Sequence, residues 1–326
     1  MSLELPRRDW VRGMAALAGI AALLWVLVAG RPPQPTLLWK EIFNLGHIPL
    51  FGMVALLALV AARAFLPAGP GRPLRHYLLA FVVVALISLV SEIAQINMAS
   101  RQVEVQDAVH NLLGAICFLV IRSAFDPLLW DSDSRAPRGL LLVAASLALF
   151  VASWTLIELA WHYGMRSAAF PRIVDLDSGW QQPFISAQRA DIGLVPAPAG
   201  WKEKSGHRVS VISFPQNPWP GVTIREVYPD WTRMKAYRMQ VFSTQDHSVH
   251  LTIRIEDALH NQRHNDRFNR TLSIEPGLND VSIPLKDIRD APVGREMDLS
   301  QVWQLILFTS RPEEPLELHI SDIWLE

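Results

Sequence analysis

Five apolar runs, each close to the roughly 20 residues needed to cross a bilayer core of about 30 Å, dominate the first half of this 326-residue chain. They cover residues 11–30, 42–66, 76–96, 107–125 and 139–163. Pro and Gly punctuate the gaps, at Arg31-Pro32-Pro33, at Pro67 to Gly71 and at Asp126-Pro127, where a helix has to end. A chain so patterned reads as a five-helix transmembrane bundle. The first run could instead be a secretory signal peptide with Arg7 and Arg8 as its basic end. Its length and the Pro-Pro that cleavage would expose favour a helix that stays.

After Ala169 the character changes to short alternating runs. Val209 to Phe214, Arg238 to Ser243, His250 to Ile255, Asn269 to Ile274, Asn279 to Ile283, Trp303 to Thr309 and Leu316 to Ile323 read as strands. Pro-rich and Gly-containing turns separate them, a pattern that predicts an antiparallel β-sandwich of jelly-roll type. The expected organisation is multi-domain: a transmembrane helical domain over 1–168 and a β-sandwich over 169–326. A net charge of −1 gives no footprint for nucleic acid. The single cysteine, Cys117, lies in an apolar run and excludes an intrachain disulfide. Phosphate-loop, H-E-x-x-H, G-x-S-x-G and paired-Cys motifs do not occur. No cofactor and no metal is expected.

Basic residues set an orientation. With the N-terminus in the cytoplasm, the inner segments carry Arg7, Arg8, Arg12, Arg63, Arg72, Arg75, Arg122, Arg135 and Arg138, and the outer loops Arg31, Lys40 and Arg101. The sandwich then lies outside a bacterial inner membrane, in the periplasm of a two-membrane cell. Polar residues gather at the same outer end. Asn44 and His47 open the second helix, Glu92 and Gln95 close the third, Arg101 follows, and Asp107 and Asn111 open the fourth. Charge within a span is costly and by default faces a bundle interior or wet cavity, so these residues predict an externally open pocket. His47 and Glu92 are the acid–base candidates should the pocket be catalytic. Internal hydrogen bonding is the competing reading. Gly114 suits close helix packing, and Glu158 and His162 form an i, i+4 pair.

The spacing Glu92-x2-Gln95-x5-Arg101-x5-Asp107-x3-Asn111-x2-Gly114, with Asn44 to Gly52 before it, resembles the signature of the VanZ-like family over roughly residues 10–125. The resemblance implies a small multi-helix envelope protein whose carried-over site residues are His47, Glu92, Gln95, Arg101, Asp107 and Asn111. The family's founding member is associated with resistance to the glycopeptide teicoplanin, and no reaction is established for the family. The chain departs at Phe43-Asn44, where many members carry Asp-Lys, and Lys40 and Glu41 lie nearby.

Residues 172–326 resemble the galactose-binding-like jelly roll of many carbohydrate-binding modules. The resembling segments are Ile255-Glu256-Asp257, Asp266 to Asn269, Pro276 to Asn279 and Leu305 to Phe308. Such sandwiches hold sugar rings on exposed aromatics. Trp219, between two prolines, is the first candidate and Trp231 the second, while Trp180, Trp201, Trp303 and Trp324 suit the core. Trp219 could equally dock at a membrane interface. The dense polar loop Asp257, His260, His264 and Asp266 matches no strong metal-ligand spacing. The expected partners are membrane lipid and an envelope glycan or lipid-linked precursor, with no nucleic acid and with protein partners left open. A non-catalytic binding protein is the leading reading. A membrane enzyme using His47 or Glu92, and a scaffold for a membrane complex, are the alternatives.

Overall fold

A computed structural model describes residues 7–66, 73–96, 105–130 and 134–326; the side chains of Arg7, Glu92, Ala94, Gln95 and Ile96 lie outside that description. The chain forms two compact units, Met1–Leu159 and Ala160–Glu326.

The first unit is helical. Its elements are α1 (Arg7–Ala29), α2 (Leu37–Phe65), α3 (Leu74–Ile96), α4 (Val105–Ala124) and α5 (Arg135–Ala152), and α6 (Trp154–Ala169) begins in it. The first five are long and apolar enough to cross a membrane. Two boundaries differ from the sequence expectation. Helix α2 starts at Leu37 rather than near 42, because the Thr36 side chain accepts the Trp39 N–H at 3.1 Å and caps the first turn ahead of Lys40 and Glu41. The run 139–163 is two helices. At Ser153 the hydroxyl donates to the Leu149 carbonyl at 2.8 Å, a back-bond that competes with the helical ladder, and only α5 qualifies as a span.

Helix α2 is the centre of this unit. Phe51, Val54, Ala55 and Ala58 are buried, joined in one apolar cluster by Ile20 and Leu27 of α1, Ala80 and Val84 of α3, and Ala115 and Leu119 of α4. The contact of α2 with α4 depends on glycine. A Cβ on Gly114 would lie 2.1 Å from the Ile48 carbonyl oxygen, and one on Gly52 would lie 2.4 Å from the Phe118 ring. Small residues let helix backbones approach closely, which is how apolar helices gain contact without a hydrophobic driving force in lipid. Farther along α2, Arg63 and the Tyr77 hydroxyl both donate to Asp126, the latter at 2.7 Å, which fastens α2, α3 and the segment after α4.

The second unit is a two-sheet antiparallel sandwich. Its strands are β1 (Arg172–Asp175), β2 (Ile185–Gln188), β3 (Asp191–Pro196), β4 (Arg208–Phe214), β5 (Gly221–Arg225), β6 (Ala236–Ser243), β7 (Val249–Asp257), β8 (Phe268–Ile274), β9 (Gly277–Pro284), β10 (Val302–Phe308) and β11 (Leu316–Leu325), with a short helix α7 (Leu285–Arg289) after β9. One sheet runs β3-β4-β11-β6-β9 with β1 added to β11, and the other runs β2-β5-β10-β7-β8. Alternation along the strands sends Ile212, Met239, Val241, Leu318 and Ile320 from one sheet, and Val222, Ile224, Leu251, Ile253, Leu305 and Leu307 from the other, into a single core.

The end of α6 packs within this second unit. His162 Nδ1 meets the Trp180 carbonyl at 2.6 Å, the Tyr163 hydroxyl donates to Glu226, and Arg166 donates to the Glu226 carbonyl at 2.5 Å. His162 therefore serves the sandwich.

Replacing Gly114 by Ala is expected to cost about 1–3 kcal/mol by forcing α2 and α4 apart. Gly139→Ala, with nothing within 4 Å of the added Cβ, is expected to be neutral or stabilising. Thermal unfolding of the detergent-solubilised protein checks both, and equal midpoints for the two variants would refute the close crossing.

Candidate functional site

In the helical unit the structure brings some of the polar residues together. His47 Nδ1 lies 2.8 Å from Asn111 Oδ1, and the Asn111 amide donates to Ser88 Oγ at 3.0 Å, so α2, α4 and α3 share one chain of hydrogen bonds. His110 Nδ1 lies 3.0 Å from the Asn44 carbonyl. The His47 ring stacks on Phe51, with centroids 6.3 Å apart. Asp107, in the first turn of α4, is buried, where the helix dipole favours a carboxylate. Arg101 and the side chains of Glu92 and Gln95 lie outside the described residues. His47, Asn111 and Ser88 satisfy one another, and each removed would leave a partner unpaired in an apolar surround, whereas Asp107 keeps a buried carboxylate oxygen without a hydrogen-bond partner among the described residues.

The sandwich presents a different object. On the sheet β2-β5-β10-β7-β8, the residues that alternate away from the core form rows fixed by strand register. One row is Gln188, Gly221, Phe308, Thr252 and Thr271; the next is Ser186, Thr223, Ile306, Arg254 and Asn269; beyond it come Arg225, Gln304 and Glu256. Above these rows is a cleft of about 780 Å³, lined by all but Ser186 and Glu256 of that grid, with Trp219, His264, Arg267 and Ser310 added at its edges. That size suits a small ligand site. The first and last rows are four residues apart along β5, about 14 Å at the rise of an antiparallel strand.

The two ends of the cleft differ in chemistry. At one end Trp219 is 55% exposed and its ring stands 6.0 Å from Phe308, inclined at 56°. Gly221 beside it has no room for a side chain, because a Cβ would lie 2.6 Å from that of Phe308 and 2.8 Å from the Leu307 carbonyl. Trp219 itself has φ +57, a left-handed conformation unusual for a bulky residue, and Glu226 at the other end of β5 has φ +50. Such outliers are found at ligand clamps where surrounding structure holds them. At the other end are the guanidiniums of Arg225, Arg254 and Arg267. Beside them Glu256 is buried, taking hydrogen bonds from Arg254 and the Gln304 amide, with Arg267 Nη1 at 3.9 Å. Burial pulls the Arg267 pKa below its ordinary value and the Arg254 cation adds to the effect, with Glu256 opposing.

Trp231, the second aromatic candidate, corrects the sequence reading. It is fully buried in the core, its indole N–H donating to the Tyr228 carbonyl at 2.6 Å, and it cannot meet a ligand from solvent. The polar loop is also accounted for by the protein itself. Arg295 holds Asp257 in a bidentate pair at 2.5 and 2.8 Å and reaches Asp266 at 2.5 Å, so a guanidinium sits where a cation was weighed. Those hydrogen bonds from Arg295, and one from the Asn261 N–H, hold the Asp266 carboxyl below the usual carboxylate range.

No protein-family model matches the chain, and no curated protein matches it. Among solved structures it is similar to the family 11 carbohydrate-binding module from Clostridium thermocellum, solved with a β-1,3-1,4-mixed-linked tetrasaccharide, at 11% identity over 47% of this chain and 94% of that one, with a TM-score of 0.36. It is also similar to the family 30 carbohydrate-binding module of a cellulosomal cellulase from the same organism, at 13% identity over 44% and 90% of the two chains and a TM-score of 0.33. An exo-β-agarase is similar at 14% identity and a TM-score of 0.36, over 44% of this chain and only 23% of the agarase. At these scores the likeness carries no argument about ligands, which rests on the cleft.

Arg295→Met would leave Asp257, whose side chain has no solvent exposure, as an uncompensated buried charge. Breaking such a pair costs about 3–5 kcal/mol, a loss expected in chemical denaturation of the variant. The depressed Asp266 pKa fixes the sign of an acid effect. Its contribution is fully present above the unfolded carboxylate value of about 3.9 and is lost as pH falls through the lower folded value. Acid unfolding should therefore begin at higher pH in Arg295→Met than in wild type.

Proposed function

We propose that this chain is a non-catalytic, membrane-anchored glycan-binding protein of the bacterial envelope. Its helical unit would sit in the inner membrane with the N-terminus in the cytoplasm, and its sandwich would face the periplasm or exterior. The observation that carries the reading is the cleft: an exposed indole and a phenyl ring at one end, and a floor of planar polar groups at the other. A pyranose ring has an apolar face of C–H groups that packs on an aromatic, and hydroxyls that pair with amides and guanidiniums. Recognition sites combine a few aromatic anchors with convergent polar groups in this way. Polar residues on the outward face of the sheet also leave the two-sheet core untouched.

The basic-residue pattern supports the orientation, and the VanZ-like motif supports an envelope setting. The described helical cluster supports a structural role, because His47, Asn111 and Ser88 already satisfy one another across three helices. On this reading His47 and Glu92 are not an acid–base pair. Asn111→Leu is expected to lower the thermal midpoint of the whole protein and leave glycan binding at permissive temperature unchanged. Reduced binding with an unchanged midpoint would move the ligand site to the helices.

Trp219→Ala is the direct test of the cleft. The exposed indole contributes nothing to the core, so the variant should keep the wild-type thermal midpoint. Truncating an aromatic anchor costs about 2 kcal/mol or more, so glycan affinity should fall by about tenfold or more. Calorimetric titration of the detergent-solubilised full chain, with ligands chosen from a glycan array, reads the outcome. Undiminished affinity would remove the cleft from the reading.

A further inference from the structure

Resting on the glycan reading above, we propose that the cleft is selective for an acidic oligosaccharide, one bearing a carboxylate or sulfate at the opposite end from the ring that packs on Trp219. The charges lining the cleft are all of one sign. Arg225, Arg254 and Arg267 line it, and among its described lining residues there is no Asp or Glu. Glu256 stands in the same outward row but is covered by its neighbours, with a side chain 2% exposed, and it is shared between Arg254, Arg267 and His260, which stands 3.2 Å away. One buried anion therefore faces two arginines at this end of the cleft, and Arg225 adds a third.

The geometry leaves guanidinium capacity for a ligand. Arg225 is exposed at the end of β5 and has no ion-pair or hydrogen-bond partner among the described residues, although its row neighbour is the uncharged Gln304. Arg267 has its Nε buried with no hydrogen-bond partner, and its only ion pair is the long one to Glu256. A guanidinium carries five N–H donors, and the 3.9 Å contact of Arg267 Nη1 with Glu256 is too long for a hydrogen bond, which leaves its terminal groups with donors to offer the cleft. A planar guanidinium offers two parallel N–H donors that match a carboxylate or sulfate edge, and such charge-assisted bonds are about twice as strong as those to a neutral hydroxyl. An anion bound over this end of the cleft would also offset the net positive charge of Arg225, Arg254 and Arg267, which a neutral glycan cannot do. The aromatic end and the cationic end lie along the same strands, so a short oligosaccharide can use both.

The test uses the full chain in nonionic detergent and matched ligand pairs: an oligogalacturonate with its carboxyl-reduced counterpart, and a sulfated oligosaccharide with its desulfated counterpart. The expected result is that at least one acid form binds tenfold or more tightly than its neutral twin. The advantage should shrink as salt is raised, because partly exposed charges are screened. It should disappear in Arg225→Gln, a change at an exposed residue that leaves the core intact, and fall in Arg267→Gln. Acid binding should also weaken in Trp219→Ala. Equal affinity for acid and neutral twins in both pairs overturns the selectivity and leaves glycan binding standing. Acid binding that persists in Arg225→Gln and Trp219→Ala alike places the anion elsewhere and overturns the assignment to this cleft. No binding of any twin, acid or neutral, sinks the glycan reading itself.

Discussion

Most large apolar side chains in this protein have to leave water, and the two units do so in different ways. In the helical unit large apolar residues point outward as well as inward: Leu78, Leu86 and Val90 on α3, and Leu140, Val143 and Leu147 on α5, are all exposed. An apolar surround such as lipid makes such a surface favourable, because aliphatic area in water costs about 25 cal/mol per Å². In the sandwich the same residue types are hidden between two sheets, and after α6 the described large apolar residues left in solvent are Leu194, Trp219, Leu259, Leu278 and Val293. Trp219 is the one aromatic among them, and it borders the cleft.

That division also governs where polar groups can go. In the helical unit they must satisfy one another, and His47, Asn111 and Ser88 do so across three helices. The Arg63–Asp126 pair with Tyr77 does the same 16 residues farther along α2, about 24 Å away. Burial alone would push the Asp126 carboxyl up; hydrogen bonds from Arg63, Tyr77 and the Leu128 N–H outweigh it and hold it below its ordinary value. In the sandwich the two-residue period frees one face of each strand for water, and that face can carry arginines, amides and hydroxyls without disturbing the core. The cleft is a by-product of strand alternation, given direction by which side chains occupy the outward positions.

The sequence by itself determined the large divisions. Run length and hydropathy set five membrane-length helices, and alternation set seven of the strands, because both are periodic properties of neighbouring residues. The exposed Trp219 was legible because prolines on both sides hold it out of any regular element. Strand β5 was missed: Gly221 to Arg225 is short and enters from Pro220, yet it supplies Thr223 and Arg225 to the cleft.

The tertiary structure decided everything that depends on partners distant in the chain. Trp219 and Trp231 are twelve residues apart (231 − 219), both in polar, proline-bearing surroundings. One is solvent-facing and the other is sealed in the core against residues from both sheets. Asp257 and Asp266 were readable as a polar loop, but only the fold brings up Arg295 to hold them. The run 139–163 read as one span, but it forms α5 and α6, which meet at Ser153. The arginines of the cleft lie on β5, on β7 and just before β8, and no local pattern relates them. Sheet register places them on one surface, and register is set by long-range pairing, which a sequence read residue by residue does not contain.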